Sequence, residues 1–178
     1  RKRSGSEVLS VTHIVHQYAE QVMAREIVAG PHVRNQCKRH LADLKRDGIY
    51  FDEDAADRVI GFFAEVLRLS EGQFEGIPFN LHISQAFIVG SLFGWKLPDG
   101  TRRYRRAYIE MGKGNGKSPL AGGIGLYGMM ADGEAGAQIY AAAAKKEQAM
   151  ILFQDAVKMV RQSPVLEPRV TPSGVNPV

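Results

Sequence analysis

Apolar residues recur at helical spacing through the first half of the chain, and the pattern changes near its middle. Val8, Val11, Val15, Tyr18 and Val22 fall on one helical face, and Val33, Cys37, Leu41 and Leu44 on another. The Gly-Pro of "AGPH" (29–32) separates the two segments. Val59, Phe62, Phe63, Val66 and Leu67 predict a third helix near 54–69. The acids of "YFDEDAAD" (50–57) open it, where carboxylates favour the helix dipole. After a loop at 70–80, "SQAFIVGSLFGW" (84–95) predicts a short and very apolar helix.

Beyond residue 96 the reading alternates. "KLPDGTRR" is a turn, and "YRRAYIEM" (104–111) is β-favouring enough to predict a strand. "SPLAGGIGLYGMM" (118–130) predicts a helix with Pro119 in its first turn, where a missing amide is harmless. "AQIYAAAA" (137–144) predicts a second, buried strand. "KEQAMILFQDAVKMVRQS" (146–163) predicts a helix with Ala149, Phe153, Ala156, Val157 and Val160 on one face. The tail "PVLEPRVTPSGVNPV" carries four prolines and predicts no element. The expected class is α/β: a helical leader, then a βαβα unit of an incomplete parallel sheet.

Composition changes this picture little. Of 178 residues, 44% are hydrophobic and 24% charged, ordinary values for a globular chain rather than a disordered one. The single cysteine, Cys37, excludes an internal disulfide framework and suits a reducing compartment. No apolar run is long enough to span a bilayer. The net charge of +4 matters for where it lies. Between Gly94 and Ser118 stand Lys96, Arg102, Arg103, Arg105, Arg106, Lys113 and Lys117, against only Asp99 and Glu110.

That positive stretch surrounds "EMGKGNGKSPLAGG" (110–123), which has the end of a phosphate-binding loop. Glycines let backbone amides turn inward around phosphate oxygens. Gly114 to Lys117 would supply those amides, Lys117 would reach the β- and γ-phosphates, and the Ser118 hydroxyl would hold Mg²⁺. The usual pattern needs a glycine five residues before the Gly-Lys pair. Met111 stands there, and Gly112 is one step late. Lys113 lies inside the loop as a second cation.

The loop, and "YAAAAKKEQAMILFQDAVKMVRQSP" after it, resemble the large terminase subunit of tailed bacteriophages. That family often carries a deviant loop of the form basic-x-Asn-Gly-Lys-Ser/Thr, matched here by Lys113, Asn115, Gly116, Lys117 and Ser118. "LHISQAFIVGSLFGWK" (81–96) resembles the family's adenine-recognition segment, with Gln85 as its glutamine, and "AGPHVRNQCKRHLADL" (29–44) resembles its helical leader. The resemblance runs from about residue 18 to 164. It implies a P-loop NTPase sheet and an ATPase using ATP and Mg²⁺. It also implies double-stranded DNA, the portal protein and the small terminase subunit as partners, a homo-oligomeric ring, no membrane, and the cytoplasm of an infected or prophage-bearing host. The expected organisation is a leader at 1–80, the first part of an ATPase core at 81–164 and an irregular tail at 165–178.

An ATPase also needs an acidic pair at the end of an apolar strand. After Ser118 the acids are Asp132, Glu134, Glu147, Asp155 and Glu167; none are adjacent and none ends a β-like run. The expectation is an N-terminal fragment without the catalytic acids or the family's nuclease domain, and inactive alone. Lys145 and Lys146 read as solvated. Trp95 reads as a core anchor, with a wall of the base pocket as its alternative. His13, His16, His32 and His40 read as surface residues and Cys37 as core, since a zinc site needs a second tight ligand pair. "TRRYRRAY" reads first as a solvated strand edge, with nucleotide electrostatics and DNA contact as the other readings. Two alternatives to the motor stay open: another P-loop nucleotide-binding protein, or a basic DNA-interaction module without catalysis.

Overall fold

The helical half folds where periodicity places it. The computed structural model describes residues 12–69 and 72–170, so Val8, Val11 and the tail from 171 lie outside the described residues. Helix α1 (Ile14–Met23) buries Val15, Tyr18, Ala19 and Val22 and is capped by the His13 ring, which accepts from the Val15 amide. Helix α2 (Pro31–Asp43) starts with Gly30 as cap and Pro31 as first residue. Its buried stripe is not the expected one. Cys37, His40 and Asp43 face inward, whereas Val33 and Leu44 are exposed. Polar residues occupy this interface because other elements supply partners, Trp95 and His16 for His40 and Arg103 for Asp43.

Helix α3 (Glu53–Gly61) opens on Asp52, whose carboxylate accepts from the Ala55 amide, with Glu53 and Asp54 in its first turn. It continues as a π-helical turn, Phe62–Val66, and stops at Leu67. That turn brings both phenylalanines inward: Phe62 meets Tyr127 edge-on at 5.4 Å, and Phe63 meets Phe79 at 5.1 Å. Helix α4 (Ile83–Gly94) is nearly all apolar because it lies between layers, with α1 on one side and α3 on another. Glycine permits both approaches. A β-carbon at Gly90 would stand 2.4 Å from Val15, and one at Gly94 would stand 2.8 Å from the Phe51 ring.

The main core joins α3, its π-turn, α4, α5 (Lys117–Met130) and α6 (Lys146–Gln162) through Val59, Phe63, Leu67, Val89, Phe93, Leu120, Met159 and Val160. A second cluster fastens α1 and α2 to α4 through Val15, Tyr18, Val22, Cys37 and Phe87. Between α5 and α6 lies an open apolar groove of about 310 Å³ whose walls include Leu126, Ile139, Phe153, Ala156 and Val157.

The parallel sheet is the main correction. The sheet among the described residues is a two-residue antiparallel pair, β1 (Tyr50–Phe51) with β2 (Trp95–Lys96), Phe51 opposite Trp95. Neither 104–111 nor 137–144 forms a strand, and the second stretch is not buried; Tyr108 is 89% exposed and Tyr140 83%. β-Favouring residues become a strand only against a ladder partner and a surface to cover, and neither stretch has one among the described residues. The mixture of helices with a small sheet is compatible with an α/β fragment.

Candidate functional site

The glycine loop sits where residues 104–111 end and α5 begins. Two glycines in it adopt left-handed backbone angles: Gly114 at φ +86° and Gly116 at φ +72°. A side chain at either would cost about 1–2 kcal/mol. Gly112 is not in that region, so the loop's special geometry starts two residues later. This explains the absent early glycine. Met111 does not adopt a left-handed angle, its side chain packs against the main core, and its carbonyl accepts from the Lys117 ammonium at 3.4 Å. Where other loops have a flexible residue, this one has an anchor. Asn115 closes the turn by donating its side-chain amide to the Gly112 carbonyl at 3.4 Å.

Gly116 caps α5, and no side chain caps that helix end. The first-turn amides therefore lack side-chain acceptors and present partial positive charge, a ready seat for an anion. Lys113, Gly114, Asn115 and Lys117 are exposed, while Gly116 and Ser118 are half-buried. Two exposed lysines thus flank the first-turn amides in the chain, with the Lys117 ammonium held at the Met111 carbonyl.

Gln85 is brought to the same place from 31 positions earlier in the chain. It is the third residue of α4 and completes a reciprocal cap. Its carbonyl oxygen accepts from the His82 amide at 3.0 Å, and the His82 ring accepts from the Ser84 amide at 3.3 Å. With its oxygen so held, the Gln85 side-chain nitrogen lies 3.4 Å from where a Gly116 β-carbon would be. The donor end of the amide thus faces the loop. One oxygen lone pair is used by the cap, and the second remains available.

The arginine run divides residue by residue. Arg103 turns inward: its guanidinium lies 2.8 Å from the buried Asp43 carboxylate and stacks over Trp95 and Tyr104. Arg102 pairs with Asp132 at 2.9 Å and lies over Phe93. Arg105 and Arg106 are exposed. Lys96, Arg102 and Arg105 stand across from Asp132 and Glu134 in a polar cleft of about 550 Å³. Trp95 is fully buried and serves the core, so it cannot wall a base pocket.

His32 is exposed, as expected, but the other three histidines read as surface are not. His40 is fully buried, and the side chains of His13 and His16 are only 6% and 12% exposed. Their composition looked like a solvated surface because the partners that satisfy them lie far away in sequence. Cys37 is buried, as expected, and burial pushes its thiol up to about 11, which makes it inert. Among the described residues no cluster of His, Cys, Asp and Glu could hold a metal ion, and no helix is long and apolar enough to cross a membrane. Lys145 and Lys146, at the start of α6, are exposed.

Residues 84–170 match the family model described as "Terminase large subunit, ATPase domain". A terminase large subunit of Enterobacteria phage HK97 is 33% identical over 121 residues, which is 66% of this chain and 23% of the relative. The chain thus spans about a quarter of that relative's length. No solved structure matches. The matched segment runs from the first turn of α4 through the glycine loop and α6 to Val170, so residues 84–170 of this chain belong to the ATPase-domain family of terminase large subunits.

Proposed function

We propose that this chain forms the ATP-binding part of a phage DNA-packaging motor, with 81–164 as the first part of its ATPase core and 1–80 as a helical leader. The observation that carries the reading is the convergence at the uncapped start of α5. Two left-handed glycines and the Gln85 amide meet there, with the exposed Lys113 and Lys117 in the same loop, inside the segment that matches the family. In this reading the amides from Gly114 to Lys117 cradle the phosphates, and Lys117 and Lys113 neutralise their charge. Gln85 reads adenine. Ser118, half-buried beside the lysines, fits the role of hydroxyl ligand to the nucleotide's Mg²⁺. The bound metal ion supplies positive charge that offsets phosphate repulsion. In the assembled motor, ATP hydrolysis drives double-stranded DNA through a homo-oligomeric ring that meets the portal protein and the small terminase subunit.

Titration with a fluorescent ATP analogue and Mg²⁺ tests the binding step without requiring turnover. Removing one charge-assisted contact costs about 2 kcal/mol, so Lys117→Ala is expected to weaken binding roughly 30-fold with helix content unchanged. Equal affinity in the two proteins would contradict the reading. Salt-sensitive duplex binding, indifferent to ATP and to Lys117→Ala, would instead favour the basic interaction module.

A further inference from the structure

Away from the glycine loop, four elements meet through a chain of ring nitrogens. The Trp95 indole can only donate, and it donates to Nδ1 of His40 at 3.0 Å. Neutral His40 must therefore carry its proton on Nε2. That nitrogen lies 2.8 Å from Nδ1 of His16, which must accept. The His16 proton is then on Nε2, 3.5 Å from the Glu53 carboxylate. One donor at the end of the chain fixes both tautomers, and the chain joins β2, α2, α1 and α3.

Every side of this chain is occupied. Phe51 presents its ring at 4.7 Å to His16 and 5.5 Å to His40. His13 lies 5.5 Å from His16 and pairs with Asp57 at 3.0 Å. From α1 Glu20 faces His16; from α2 Asp43, and from the turn after β2 Arg103, face His40.

An added proton has nowhere to go without breaking a bond. On His40 it must take Nδ1, where it meets the indole N–H. On His16 it must take Nδ1, where it meets the His40 N–H. His40 could yield only by moving its own proton to Nδ1, which again meets the indole. We propose that Trp95, His40 and His16 form a proton-released latch that holds α2 against the Trp95 end of α4 and opens on acidification while the main core stays folded.

The charge balance agrees with the geometry. Burial is the largest cause holding both rings below the ordinary histidine value, His40 at about 4, with His13 pushing the same way and Glu53, Glu20 and Asp43 opposing. The open form, with a histidine value near 6.5, binds more protons than the closed form. The latch is therefore fully held above pH about 6.5 and is lost as pH falls toward about 4. A lowering from 6.5 to about 4 shifts the closed-to-open ratio by as much as ~300-fold. The cluster around Phe87 holds only Tyr18 and Cys37 as titrating groups, both raised by burial, so acidification leaves it intact and opening is local rather than a dissociation of the leader.

Trp95 is the single tryptophan and reports directly. Its indole N–H resonance, followed from pH 8 to pH 4 beside the circular dichroism of the same sample, is expected to change below pH 6.5 with helix content retained. His40→Phe is expected to abolish that change. Should His40→Phe fail to fold, His16→Gln keeps an acceptor for His40 but removes the titratable ring that opposes its protonation, and is expected to move the midpoint upward. A Trp95 signal that changes only together with loss of helix would overturn the latch, as would a midpoint unmoved in His16→Gln.

Discussion

Gly123→Ala is expected to destabilise the protein by about 1 kcal/mol net, although it places a better helix former inside α5. A β-carbon there would stand 2.3 Å and 2.6 Å from ring carbons of Phe63 and 3.0 Å from Leu67. Both neighbours are fully buried, and Phe63 is braced edge-on by Phe79, so the ring cannot swing aside. Overpacking of this kind costs roughly 1–3 kcal/mol, whereas the helical gain of alanine over glycine is about 1 kcal/mol. The adjacent Gly122→Ala should have the opposite sign. Its nearest neighbour, the Ala156 backbone nitrogen, lies at an ordinary 3.7 Å, so the helical gain of roughly 0.5–1 kcal/mol survives. Urea denaturation of the two variants checks the pair, and destabilisation by both or by neither would show that α5 is not seated on the π-turn as described.

Arg103→Leu is expected to cost about 3 kcal/mol, because it leaves the Asp43 carboxylate buried without its nearest counter-charge. The side chains of Arg103 and Asp43 are 10% and 7% exposed and 2.8 Å apart. Arg39 and Arg46 remain at 3.6 Å each, which sets the estimate at the lower end of the range for a broken buried pair. The neighbouring Arg102→Leu removes a pair in which Arg102 is half-exposed, and should change stability by less than about 1 kcal/mol. Denaturant midpoints compare them, with Arg103→Leu/Asp43→Asn expected to recover part of the loss by removing the stranded charge. Equal effects at 102 and 103 would contradict the inward placement of Arg103.

These two cases mark how far the sequence could be read. Helices whose stripes are made of valine, leucine and phenylalanine declared themselves, because a 3.6-residue period needs no knowledge of the partner. The loop's turns were equally legible: left-handed turns need glycine, and Gly114 and Gly116 adopt them. The failures all involve partners distant in the chain. Arg102 and Arg103 are indistinguishable as residues, and only Asp43, 60 positions earlier than Arg103, decides which one turns inward. His40 looked like surface because its satisfaction depends on Trp95, 55 positions later. The pairing of Phe51 with Trp95 spans helices α3 and α4 without any hairpin signal. The stretches 104–111 and 137–144 failed in the other direction: the β-favouring composition is present, and among the described residues the ladder that would use it is not. Gln85 lay between the two groups. The family resemblance singled it out, and the His82 cap shows how α4 aims its amide at Gly116.

The central claim is that the start of α5 holds the phosphates of a nucleotide. The most direct measurement is the change in backbone amide resonances when ATP with Mg²⁺ is added to the isotopically labelled chain. The account predicts that the amides of Gly114, Asn115, Gly116 and Lys117 and the side-chain amide of Gln85 move together, saturating at one ligand concentration, while α1 and α2 stay still. Shifts confined to the Arg102–Arg106 stretch and the polar cleft beside it, with the glycine loop unmoved, would contradict it.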